Sequence, residues 1–381
     1  MKNVAVFTGT RAEYGLLYWL IKDIENDPEL KLNLLVSGTH LSPEFGLTFK
    51  QIEDDGFFID EKVEMLLSSD TAIGVAKSIG LGVLGYTDAL SRMQPDILIV
   101  LGDRYEALAV AQTAMILRVP ILHLHGGEIT EGAYDDAIRH AITKLSYLHA
   151  TSTDEHRKRV VQLGEDPTRV FNVGAIGLDS IKRADFMSIE ELSASLSFKI
   201  DRPYFILTYH PVTLGEELPI SSFEAILDAL DCFKNYQVII TYPNADDGGR
   251  KIIPMIEEYA NSNVSRVLAI PSLGHKRYLS AVKNCAAVIG NSSSGIIEVP
   301  SFGKPTVNVG VRQNGRLAAK SVIHSDIKFE SLKEAINKAV TMPSDSSRFI
   351  NPYGKGDASK AVIEMVKSLE FNPCKKFFNI E

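Results

Sequence analysis

Short apolar runs recur along the chain, and most end on a cluster of glycine, hydroxyl and charged residues. In order they are Val4–Phe7, Leu32–Val36, Ile97–Leu101, Val119–Leu124, Leu148–Thr151, Val170–Val173, Tyr204–Thr208, Val238–Thr241, Val267–Ile270, Ala287–Ile289 and Thr306–Val309. Segments of helical length separate them in the first half: about Glu13–Asn26, Pro43–Asp54, Asp70–Met93, Tyr105–Leu117, Asp135–Ser146 and Asp154–Leu163. A last helix spans roughly Ala358–Leu369. Strand and helix in alternation predict an α/β fold with doubly wound parallel sheets.

Between Gly174 and Arg202 the alternation weakens and polar residues take over, so the domain junction is placed there. A chain of 381 residues exceeds one ordinary core, and two domains are expected, residues 1–178 and 179–357. Two similar α/β halves predict a cleft between them as the small-molecule site. The segment from Asp70 to Met93 carries Gly74, Gly80, Gly82 and Gly85, which cost helix stability and predict close packing or a kink.

Composition narrows the partners. A net charge of -8 disfavours nucleic acid, because a phosphate backbone calls for a basic face. The three cysteines lie far apart and predict neither a disulfide framework nor a zinc site, which fits a reducing compartment. The N-terminus reads as a first strand rather than a signal peptide, and the most apolar window, Ala107–Leu124, is broken by Gln112, Arg118 and Pro120. A cytoplasmic protein without membrane association is expected.

The stretch from Ile97 to His140 gathers the chemistry. Two strands of a parallel βαβ unit end at Gly102-Asp103-Arg104 and at His125-Gly126-Gly127-Glu128. Ligands bind at such strand ends, so Asp103, Arg104, His125 and Glu128 are expected to share a crevice beside Asp135, Arg139 and His140. With Asp136 and Glu131 nearby, these carboxylates cannot all ionise in a closed cleft without raised pKa values, which suits proton transfer. Metal binding is the rival use of Asp, Glu and His, but no H-E-x-x-H or D-x-D pattern occurs. A serine hydrolase would need a G-x-S-x-G elbow, which Ser292-Ser293-Ser294 does not supply.

The second half offers anion sites. Gly290-Asn291-Ser292-Ser293-Ser294-Gly295 opens a helix and suits a diphosphate, with a serine-rich helix cap as the plainer reading. Glu298 follows one turn later and suits ribose hydroxyls, while His210, Arg312 and Arg316 suit phosphate. Near the N-terminus, Gly9-Thr10-Arg11 reads either as a further anion turn or as an ordinary strand-to-helix connection, and His40 as a loop histidine.

On these residues the chain resembles the hydrolysing UDP-N-acetylglucosamine 2-epimerases of sialic acid synthesis over nearly its full length. The resemblance rests on Gly9-Thr10-Arg11-Ala12-Glu13-Tyr14, Leu101-Gly102-Asp103-Arg104, His125-Gly126-Gly127-Glu128, Tyr134-Asp135-Asp136, Ile138-Arg139-His140-Ala141-Ile142-Thr143-Lys144, His210-Pro211-Val212-Thr213, Pro243-Asn244, Gly290-Asn291-Ser292-Ser293 and Arg312-Gln313. It implies two Rossmann-like domains in a GT-B arrangement, with the helix near residues 358–381 crossing back to the first. It also implies a homodimer or homotetramer, and neither a metal nor a cofactor.

The implied chemistry removes the C2 proton of the sugar as UDP leaves C1, giving a glycal that water converts to N-acetylmannosamine. Asp103 and Asp135 match its acid–base carboxylates, and Arg139 and His140 their support. Some relatives carry a third glutamate immediately before the Gly-Gly pair; here His125 stands at that place, and His125, Glu128 or both take the role. UDP contacts carried over are Arg11, Arg104, His210, Asn244, Ser292, Ser293, Glu298 and Arg312, with main chain near Leu273 for uracil. The alternatives are the same reaction on a UDP-2,4-diacetamido-trideoxyhexose of legionaminic acid synthesis, a GT-B glycosyltransferase, or a nucleotide-sugar sensor.

Overall fold

The structure is a computed structural model that describes residues 1–68, 71–129, 134–210, 219–243, 249–343 and 349–380. It divides into two compact units, Met1–Lys182 with Tyr353–Glu381, and Arg183–Pro352. Each is built on its own parallel sheet.

In the first unit, β1 (Lys2–Thr8), β2 (Leu30–Ser37), β3 (Glu61–Val63), β4 (Ile97–Leu101), β5 (Ile121–Leu124), β6 (Leu148–Thr151) and β7 (Val170–Asn172) lie in the order β3-β2-β1-β4-β5-β6-β7. Neighbouring side chains on a strand face opposite sides of the sheet, and here both sides are dry. Val4, Val6, Ile97 and Ile99 enter one buried cluster, while Ala5, Phe7, Leu98 and Val100 enter another. Unbroken apolar strands are the consequence of burial on both faces. The short β3 escaped prediction because only Val63 of its three residues is buried.

The helices of this unit are α1 (Arg11–Asn26), α2 (Phe49–Asp54), α3 (Ala72–Met93), α4 (Tyr105–Ile116), α5 (Tyr134–Leu145), α6 (Asp154–Gln162) and α7 (Leu178–Arg183). Helix α1 starts at a capping box, in which the Thr10 hydroxyl accepts from Glu13 N–H and the Glu13 carboxylate accepts from the Thr10 amide. Such caps are worth about 1 kcal/mol. The single helix expected over Pro43–Asp54 is instead a 3-10 turn, Pro43–Phe45, and the separate α2. Gly46 (φ +82°) and Leu47 (φ +49°) turn the chain into the left-handed region between them. In α3 the glycines act unequally: a Cβ on Gly85 would lie 2.5 Å from Val63, whereas Gly80 meets nothing within 4 Å.

The second unit orders β8 (Tyr204–Thr208), β9 (Gln237–Thr241), β10 (Val267–Ile270), β11 (Ala287–Gly290), β12 (Thr306–Val309) and β13 (Val322–Ser325) as β10-β9-β8-β11-β12-β13, again all parallel. Its helices are α8 (Ile189–Leu196), α9 (Pro219–Asp231), α10 (Gly249–Ser262), α11 (Gly274–Asn284), α12 (Ser293–Ile297) and α13 (Phe329–Val340). Helix α8 occupies the stretch where the pattern weakens. A Ser188–Glu191 capping box starts it, and Leu192 and Leu196, one turn apart, are its buried residues.

The chain then re-enters the first unit as α14 (Ala358–Lys367), whose Val362 and Val366 join the core beneath α1. The Lys2 ammonium donates to the carbonyls of Val366, Lys367 and Leu369 at 3.0, 2.7 and 3.0 Å. A cation thereby serves carbonyls that a helix C-terminus leaves unpaired.

In the first sheet the strand order reverses between β1 and β4, and in the second between β8 and β11. Such switch points open a crevice beyond the carboxyl ends of the strands. Gly9 and Gly102 follow the first pair of strands, His210 and Asn291 the second.

Candidate active site

The first switch point holds Asp103, on a loop that Gly102 turns at φ +74°. Arg139 of α5, almost fully buried, donates from Nη2 to the Asp103 carboxylate and from Nη1 to the Glu128 carbonyl at 2.8 Å. One guanidinium thus ties the loop after β4 to the loop after β5. Its Nη1 also lies 3.5 Å from Asp136, whose other oxygen is 3.4 Å from His140 Nε2. The Nδ1 of His140 is buried with no hydrogen-bond partner among the described residues.

His125 adopts φ +63°, a region costly for any residue with a Cβ. Its Nε2 accepts from Ile176 N–H at 3.2 Å, and its Nδ1 lies 3.1 Å from Glu128 Oε1. The same Glu128 oxygen accepts from the Ser152 hydroxyl at 2.9 Å. Asp135 opens α5. Burial raises its carboxyl above the ordinary range, Arg104 opposes that and Glu106 adds to it.

Two buried carboxylates to which the sequence assigns no role, Glu106 and the Glu13 of the first motif, support this end of the sheet. Glu106, fully buried, receives Arg104 Nε and Nη2 at 3.1 Å each. Glu13 accepts from the amides of Gly9 at 2.7 Å and Thr10 at 3.1 Å. Burial pushes the Glu13 carboxyl up to about 7, against the Gly9 amide and with help from the negative Glu106. The two N–H groups of the Gly9-Thr10 turn are thus committed to the chain's own carboxylate, and Arg11 beside them is exposed. The sequence signal for Glu106 was a lone carboxylate in the apolar helix Ala107-Leu108-Ala109-Val110-Ala111, where burial demands a partner. His40 is buried and bridges the hydroxyls of Thr8 and Thr48 at 3.0 and 2.8 Å. A cavity of about 550 Å³, lined among others by Thr10, Ser42, Phe45, Leu67, Arg104 and Tyr105, opens beside this cluster.

The second switch point is organised by Asn291, which is 1% exposed. Its Oδ1 accepts from His210 N–H and its Nδ2 donates to the His210 carbonyl, both at 2.7 Å. Its own carbonyl accepts from Arg312 Nη1 at 2.9 Å and Gln313 Nε2 at 2.8 Å. One asparagine therefore brings together His210 and Arg312. Ser292 and Ser293 start α12, where the Ser292 hydroxyl makes no capping bond. The Glu298 carboxyl accepts from Ser294, which also meets Tyr278 OH at 2.7 Å, and burial raises it against that hydroxyl's pull. The Leu273 side chain is in the core, and its carbonyl accepts from Arg277 at 2.7 Å. Asn244, Glu131 and Pro211-Val212-Thr213 lie outside the described residues.

Two doubly wound parallel sheets, each with polar side chains collected at its switch point, define an α/β protein of the GT-B class. A profile described as UDP-N-acetylglucosamine 2-epimerase matches residues 22–367, and the chain belongs to that family of nucleotide-sugar enzymes. It is 41% identical to the GDP/UDP-N,N'-diacetylbacillosamine 2-epimerase (hydrolyzing) of Campylobacter jejuni, over 88% of this chain and 87% of that one. It is 36% identical to polysialic acid biosynthesis protein P7 of Escherichia coli, over 96% and 94%. The UDP-GlcNAc 2-epimerase of Neisseria meningitidis, solved with UDP-GlcNAc bound, superposes with a TM-score of 0.82 at 19% identity, covering 97% and 100%. That likeness shows the shared fold.

Proposed function

We propose that the protein is a hydrolysing 2-epimerase that converts UDP-N-acetylglucosamine and water to N-acetylmannosamine and UDP. Asp103 and Asp135 act as the acid–base pair. One carboxylate takes the C2 proton as the C1–O bond to UDP breaks, and the resulting glycal gains water at C1 and a proton at C2 from the opposite face. His210, Ser292, Ser293, Glu298 and Arg312, together with Arg11, Arg104, Asn244 and main chain near Leu273, hold the uridine diphosphate. Leaving-group charge on a diphosphate is what arginine and hydroxyl donors stabilise best. The observation that carries the reading is the Arg139 bridge. It holds Asp103 beside the Glu128 loop at the strand ends, a few residues before the Asp135 helix start. That chemistry needs two carboxylates in different environments, and Asp135 is set apart by its raised pKa.

The product feeds sialic acid synthesis, a reading supported by the Escherichia coli relative's name, and a cytoplasmic location belongs to the same proposal. The same chemistry on UDP-N,N'-diacetylbacillosamine is the second reading, favoured by the 41% identity to the Campylobacter jejuni enzyme. A homo-oligomer belongs to the same proposal, with the exposed Ile73, Leu81 and Leu84 of α3 and Ile116 of α4 as the supporting apolar surface. Incubation of each UDP-sugar with the enzyme in D2O, followed by NMR, tests the proposal. Release of a free manno-configured sugar carrying deuterium at C2 is expected, and UDP release without it would sink the epimerase reading. Asp103→Asn is expected to keep UDP binding and release no sugar.

A further inference from the structure

Behind the Gly126-Gly127 turn of the first unit, a run of polar groups leads away from the acid–base cluster into the fold. Ile176 N–H donates to His125 Nε2, so in the neutral ring the proton sits on Nδ1 and points at Glu128 Oε1, 3.1 Å away. Ser152 gives its single hydroxyl proton to the same Glu128 oxygen, at 2.9 Å. Ser152 Oγ is then an acceptor toward His156 Nδ1, also at 2.9 Å, and His156 must present Nδ1–H. All four side chains are buried or nearly so. Two donors on one carboxylate oxygen hold the Glu128 side chain in place as an acceptor. Its main chain is clamped as well: Gly127 (φ +81°) leaves so little room that a Cβ there would lie 2.3 Å from the His156 carbonyl. The fixed Glu128 carbonyl receives Arg139 Nη1, and Arg139 Nη2 reaches Asp103.

We propose that Ser152 and His156 are positioning residues for the reaction. Together with His125 they lock Glu128, whose carbonyl seats Arg139 so that Arg139 orients Asp103. His125, with Nε2 occupied by a backbone donor and Nδ1–H given to Glu128, serves this lock rather than acting as a base on the sugar. The inference rests on the reading of Asp103 as an acid–base group.

The test compares Ser152→Ala and Ser152→Thr with the wild type on the better of UDP-N-acetylglucosamine and UDP-N,N'-diacetylbacillosamine. Ser152→Ala is expected to lose about ten-fold in kcat, roughly the worth of one buried hydrogen bond expressed in the transition state. KM and UDP affinity should stay within about two-fold, since only the orientation of Asp103 changes. Ser152→Thr, which keeps the hydroxyl, should recover most of the loss. Wild-type kcat in Ser152→Ala, or a loss confined to KM, overturns the proposal. Should Ser152→Ala fail to fold, the comparison moves to His156→Asn, whose amide N–H stands where Nδ1–H was, against His156→Gln, whose amide reaches the other ring nitrogen. Higher kcat in the Asn variant is expected, and equal kcat overturns the proposal. Asp103→Asn assayed alongside keeps the two failures apart. Full turnover by it removes Asp103 from the chemistry, whereas an inactive Asp103→Asn with an unaffected Ser152→Ala removes the lock alone.

Discussion

Asn291 and His210 exchange two hydrogen bonds of 2.7 Å, side-chain amide to main chain in both directions. The pair stitches the end of β8 to the end of β11 across the point where the strand order reverses. An aspartate in that place keeps the acceptor, loses the donor, and sets a negative charge against the His210 carbonyl. Asn291→Asp is therefore expected to weaken UDP binding about ten-fold or more, given ~1–3 kcal/mol for leaving a buried polar group unpaired. Isothermal titration with UDP reads the effect, and unchanged affinity would detach this pair from nucleotide binding.

Gly290 precedes that asparagine at φ +127°, and a Cβ there would fall 1.9 Å from the Thr208 carbonyl oxygen. No side-chain movement relieves a clash with backbone. Gly290→Ala should destabilise the protein by about 2 kcal/mol or more, measured by urea unfolding.

The acid limb of the rate profile should follow Asp135. Burial raises this carboxyl, Arg104 lowers it and Glu106 raises it. As a base it works only when ionised, so activity falls as pH drops through a pKa above the usual carboxylate value. Removing a cation favours the protonated form, and Arg104→Ala should move the limb to higher pH. Removing an anion does the reverse, and Glu106→Gln should move it to lower pH. Profiles of kcat/KM for both variants check the opposed signs, and shifts in the same direction would contradict the assignment.

Glu165 makes a separate prediction for stability. Burial pushes its carboxyl up, but hydrogen bonds from His149, Lys144 and Lys375 outweigh it and hold the group at about 2, below its ordinary 4.5. A depressed carboxylate contributes stability that is complete above its unfolded pKa and is lost as pH falls toward its folded one. Melting temperature should therefore decline between about pH 4.5 and 2, and Lys375→Met should cost about 1–3 kcal/mol at neutral pH and flatten that decline. Lys375 lies 2.6 Å from Glu165. Thermal melts across that range decide it.

Much of the fold was legible because its strands are dry on both faces. Ile97–Leu101 and Leu148–Thr151 coincide with the apolar runs residue for residue. Elements whose burial is partial left less trace, as with β13, where Val322 alone of four residues is buried. Helix α13 repeats buried residues at Leu332, Ala335, Ile336 and Ala339, a helical spacing that was readable in the sequence but carried no motif to draw attention. The candidate chemistry was legible as motifs at strand ends, which says which residues gather but not which of them bond. Ser152 and Asn291 act through partners distant in sequence, Glu128 and His210, and pairings of that kind appear only with coordinates. Gly9-Thr10 shows the converse, since its amides face a glutamate three to four residues on rather than standing open.

The return of α14 to the first unit has a consequence for biosynthesis. Strands β1 to β7 leave the ribosome long before residues 358–367, yet the core that α1 enters is completed by Val362 and Val366 of that helix, which Lys2 then grips from the first strand. A nascent chain stopped after the second unit would carry a finished second half and a first half with an open, sticky seam, a substrate for chaperones until helix α14 closes it.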